Sequence, residues 1–81
     1  MDIELARILV TIALRARGEI GGMAQILAKH GGTDQDIEGL KLAIGSAVFE
    51  TGIITDWIFK KFPELEAECR SRLEKYGRSY Y

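Results

Sequence analysis

The chain has 81 residues, with 11 Lys and Arg against 12 Asp and Glu, one Cys, one His, one Pro and 47% apolar side chains. That length holds one domain, which as a monomer buries only about 60% of its unfolded surface and cannot enclose a large substrate unless it self-associates. The apolar content excludes a disordered chain, and a net charge of −1 excludes a strongly basic nucleic-acid binder or an acidic nucleic-acid mimic.

Residues 2–17 are expected to form the first helix. Asp2 is placed to accept the first free backbone N–H groups, and Glu4 suits the positive first turn. Ile3, Leu5, Ala6, Ile8, Leu9, Val10, Ile12, Ala13, Leu14 and Ala16 cover nearly the whole circumference. A helix of that kind needs burial on more than one side, which argues for a homo-oligomer, most simply a homodimer. Gly18 is a natural stop, and residues 19–30 read as a shorter second helix carrying Ile20, Met23, Ala24 and Leu27. Gly21 and Gly22 weaken its start by about 1 kcal/mol each relative to Ala.

Thr33, with Asp36 three residues later, approximates a capping box for a third helix. Its apolar stripe is Ile37, Leu40, Ile44, Ala47 and Val48. Thr51 to Thr55 is β-branched around Gly52, so the helix either continues to about Lys61 or breaks at that glycine. Pro63 ends this segment and opens a last helix over residues 63–76. There Phe62, Leu65, Cys69, Leu73 and Tyr76 form one narrow seam, and Glu66–Arg70 and Glu68–Arg72 are well-oriented i,i+4 pairs. Gly77 is a stop. The fold expected is all-α, a single antiparallel bundle of four helices over residues 1–77, five if Gly52 breaks the third, with a short tail at 78–81.

The chemistry-bearing residues are sparse. Asp34, Asp36, Glu38 and Gly39 resemble the start of a calcium loop, but the twelfth position is Gly45 rather than a bidentate Glu. One His and one Cys are too few for zinc, so no metal or cofactor is expected. His30 has no partner for nucleophilic catalysis; an enzyme would need His30 and Asp56 brought together from two chains, so the reading is non-enzymatic. Cys69, on the apolar seam, is a small hydrophobe, and a lone Cys suits a reducing compartment. There is no uncharged apolar run of about 18 residues, and acidic Asp2 and Glu4 precede the apolar region, so neither a membrane span nor a signal peptide is expected, and the chain reads as cytoplasmic.

The leading functional expectation is a protein-interaction module: a small regulator, adaptor or inhibitor that self-associates or docks on a larger protein. The aromatic group Trp57, Phe59 and Phe62, with Tyr76 and Tyr80, is the candidate partner-binding set. Trp57 and Phe62 should lie partly inward, while Phe59 lies about 200° from Trp57 on the helix and so cannot share its face. An exposed Phe59 would be an anchor. The alternative is nucleic-acid binding. It would use the helix-turn-helix outline of residues 19–48, or the basic C-terminal helix with Arg70, Arg72 and Lys75 beside stacking tyrosines. Acidic Asp34, Asp36 and Glu38 at the head of the would-be recognition helix argue against it.

Overall fold

A computed structural model describes residues 1–30 and 35–77. These form three helices and no strand: α1 (Ile3–His30), α2 (Gln35–Lys61) and α3 (Pro63–Tyr76). The all-α class stands, and the count of four or five helices is corrected to three. The expected Thr33 cap and the tail with Tyr80 lie outside the described residues.

The expected stop at Gly18 is absent, and of the two alternatives at Gly52 the helix that continues to Lys61 is the one that forms. Gly18, Gly21 and Gly22 lie inside α1 and Gly52 inside α2, and Gly77 alone among the described glycines has a positive φ. The apolar spacing of Ile3, Ala6, Val10 and Ala13 continues through Ile20 to Leu27, so a continuous helix keeps one face on its neighbour. That packing outweighs the glycine cost. In α2 the β-branched Thr51 and Thr55 point inward, while Ile53 and Ile54 face outward. Thr51 and Thr55 are buried, and their hydroxyls donate to the carbonyls of Val48 (2.7 Å) and Gly52 (2.9 Å). Their polar atoms are therefore satisfied within the helix.

The expected end signals hold. Asp2 Oδ1 accepts the backbone N–H of Leu5 at 2.8 Å. Pro63 occupies the first turn of α3, and Gly77 (φ 63°) ends it with its N–H donated to the Leu73 carbonyl.

α1 and α2 run antiparallel as a long hairpin: Val10 packs with Ile58, and Leu14 lies beside Val48. The molecule measures 45 × 26 × 14 Å. Its radius of gyration is 14.9 Å, whereas a compact chain of this length would have about 12 Å. The core sits at one end, where α3 folds back and Leu65 and Cys69 close over Ala6, Val10 and Ile58, with Ile3, Leu14, Phe59 and Phe62 around them. One ion pair fastens this end. Arg7 Nε donates to Glu68 Oε2 at 3.0 Å and Nη2 to Oε1 at 3.3 Å, tying α1 to α3, and Arg7 also pairs with Glu4. The bond from Arg7 holds the Glu68 carboxyl below the usual glutamate range.

Three stability outcomes follow. A Cβ built at Gly18 or Gly22 meets nothing within 4 Å, so Gly18→Ala and Gly22→Ala should each stabilise the fold by up to about 1 kcal/mol in urea denaturation. Leu65→Ala, which empties the centre of the small core, should cost about 2–5 kcal/mol. Glu68 titrates lower in the folded than in the unfolded chain, so its contribution is full above about pH 4.3 and fades as pH falls through the lowered folded value. Urea midpoints measured from pH 7 down to pH 3 should therefore drop further for the wild type than for Glu68→Gln.

Candidate functional site

Each long helix has a second apolar face that the hairpin leaves uncovered. On α2, Ile44, Thr51, Thr55 and Ile58 are buried. At 100° per residue, Leu42, Phe49, Ile53 and Trp57 form a stripe about 175° away from that face. Trp57 is 76% exposed, Leu42 75% and Phe49 67%. On α1, Ala6, Val10 and Ala13 are buried while Leu5, Ile8, Leu9 and Ile12 stay exposed, as the all-round apolar pattern implied. Singly exposed apolar residues are ordinary, but two contiguous apolar stripes on one small chain are not.

The α2 stripe is shaped as well as apolar. Phe49 stands between two hollows. One is lined by Lys41, Leu42, Gly45, Ser46 and Glu50, the other by Arg17, Gly45, Val48, Gly52 and Ile53. A third hollow lies beside Trp57, bounded by Ile53, Asp56 and Lys60. The small residues Gly45, Ser46 and Gly52 keep the helix low around the Phe49 ring. Charges border the stripe: Glu38 and Lys41 toward one end, 3.6 Å apart, and Asp56 and Lys60 toward the other.

The aromatic set expected from sequence is partly rearranged. Phe59 packs against the core and is half-buried, so it is not the exposed anchor. Of these two rings it is Trp57, expected to lie partly inward, that is exposed. Phe62 is half-buried as expected, and Tyr76 is exposed, with Lys75 Nζ 5.2 Å from its ring centre. Phe49, Leu42 and Ile53 did not emerge from the sequence. The signal for them is the 7-4-4 spacing from Leu42 to Trp57, visible only once residues 35–61 are taken as one unbroken helix.

The other candidates offer little chemistry. Among the described residues no three His, Cys, Asp or Glu are grouped to hold a metal ion. Asp36 and Glu38 are first-turn charges of α2. His30 ends α1, while Asp56 lies roughly 32 Å along α2 from the α1–α2 connection, so the two cannot cooperate within one chain. Residues 19–30 and 35–48 lie in two long helices that run antiparallel rather than near-perpendicular as in a helix-turn-helix. On α3, Arg70 bonds Glu66 at 2.9 Å and Arg72 lies 3.9 Å from Glu68, so carboxylates offset both positive charges. A furrow of about 310 Å³ between α1 and α2, lined by Leu14, Arg17, Gly18, Gly21, Gly22, Gln25 and Val48, has a single charged group.

α2 is also long and apolar enough, by length and composition alone, to cross a membrane, although Glu50 and Asp56 interrupt its apolar run. Two carboxylates at membrane depth would each cost about 2.5–3.5 kcal/mol on insertion scales.

Cys69 is buried, and burial pushes its thiol above the usual range. It should be inert to a thiol-specific reagent in the native protein and react at the rate of global unfolding. Rapid labelling without denaturant would mean that α3 detaches from the core.

No family model matches the chain, and no curated protein or solved structure is similar to it.

Proposed function

We propose that the chain is a non-enzymatic protein-interaction module, a small regulator, adaptor or inhibitor that works by covering its exposed helix faces with protein. The observation that carries this reading is the apolar stripe Leu42–Phe49–Ile53–Trp57 on a helix whose opposite face already builds the hairpin. Leaving a Trp, a Phe and two branched aliphatics in water is unfavourable, and large aromatics set among small residues are the usual centres of binding energy. The stripe at Leu5–Ile12 is a second contact face. The lone buried thiol suits a reducing, cytoplasmic setting.

Nucleic-acid binding through Arg70, Arg72 and Lys75 is the weaker reading, because neighbouring carboxylates compensate two of the three charges. The two readings separate in a tagged pull-down from the native host's lysate, run with and without nuclease. Retention of a stoichiometric protein after nuclease supports the module, and recovery only without nuclease rejects it. Trp57→Ala should weaken that association about tenfold or more, while Lys75→Ala leaves it unchanged. Phe59→Ala should act differently again, lowering the unfolding midpoint because its ring supports the core.

A further inference from the structure

We infer that the occupant of the α2 stripe is a second copy of this chain, packed antiparallel across a two-fold axis near Phe49. This rests on the interaction-module reading and gives it a partner, an orientation and a register.

Surface area supports self-association first. The chain exposes 5920 Å², against about 4,900 Å² for a compact monomer of its 9.0 kDa mass. The excess of about 1,000 Å² is comparable with the roughly 800 Å² that each partner buries in a standard stable interface. The α2 stripe suits the purpose better than the α1 stripe. From Leu42 to Trp57 it extends about 23 Å, whereas Leu5 to Ile12 extends about 11 Å and carries no aromatic ring.

Charge then selects the orientation. Glu38 lies eleven residues before Phe49 and Lys60 eleven after it; Lys41 lies eight before and Asp56 seven after. An antiparallel two-fold centred on Phe49 therefore brings Glu38 of one copy level with Lys60 of the other, and Lys41 within one residue of Asp56. These four residues also share one flank of the stripe, within about 100° on the helix, and an antiparallel two-fold sets each flank against the same flank of the other copy. All the pairings are of opposite sign, and symmetry makes each of them twice. A parallel pair would place each charge level with its own like.

Shape agrees with the register. Gly45 falls level with Ile53, Ser46 with Gly52, and the hollows beside each Phe49 ring can receive the ring of the other copy in an offset stack. Glu50, one residue past the axis on the other flank, is the one group that meets its like. A membrane is the competing occupant. The mixed charge bordering the stripe differs from the Lys- and Arg-rich polar face of an interfacial helix, and Glu50 and Asp56 oppose a span.

The test is a charge exchange in the full chain, with dissociation constants from sedimentation equilibrium in 0.1 M salt. Glu38→Lys and Lys60→Glu should each weaken self-association about tenfold, and the double variant should return to within about threefold of wild type. Residues 38 and 60 are about 33 Å apart along one helix, beyond the Debye length of about 10 Å, so rescue reports contact between copies. Glu50→Gln should tighten association about threefold. Far-UV circular dichroism should show all variants helical, since these side chains are exposed. A double variant as weak as the two singles combined, near a hundredfold, overturns the register while association itself leaves the module reading intact. A chain monomeric at millimolar concentration, or one that floats with phosphatidylcholine vesicles instead of self-associating, overturns the second copy as occupant. If that monomer also retains no protein after nuclease, the module reading fails with it.

Discussion

A helix can be apolar on two sides only if something covers both, and along most of the hairpin each long helix has a single neighbour. This shortage of cover governs the molecule. α3 is 14 residues long and reaches only one end, where it completes a core of Ala6, Val10, Ile58, Leu65 and Cys69. Everywhere else the seam between α1 and α2 is thin, built from small groups such as Ala13 and the inward Thr51 and Thr55. The chain thus has enough burial to define a hairpin and too little to use up its apolar residues.

The arrangement at the α3 end shows how a small core is made specific. The Arg7 guanidinium grips Glu68 through two nitrogens, a planar fork that fixes direction as well as distance and holds α3 at one angle to α1. Phe59, in the last turn of α2, and Phe62, between α2 and α3, both pack against the core at that junction. Aromatic bulk near that turn therefore divides its tasks: Phe59 and Phe62 serve the fold, and Trp57, two residues before Phe59, faces water.

Element type was legible from sequence because helical spacing is long and regular here, and the terminal signals at Asp2, Pro63 and Gly77 each have one physical meaning. The helix count was not. Local propensity weighs Gly18, Gly21, Gly22 and Gly52 as breakers, whereas the cost of about 1 kcal/mol for a helical glycine is small beside an unbroken line of contacts with a neighbouring helix. Leaving a break at Gly52 open hid the apolar stripe, since a break there would put Leu42 and Phe49 in a different segment from Ile53 and Trp57. The exchange of roles between Trp57 and Phe59 was equally out of reach. Spacing shows that they face apart, but which one faces in depends on where α3 returns. The excess of apolar surface on α1 was readable, because no single neighbour can cover ten apolar positions spread around one helix.

Placing the core at the α3 end has a consequence for synthesis. Ala6 and Val10 leave the ribosome early, but Leu65 and Cys69, which cover them, follow more than fifty residues later. At about 5–20 residues per second, that interval lasts several seconds. Throughout it Ala6 and Val10 lack the residues that cover them, so this end of the core closes only once α3 has been made.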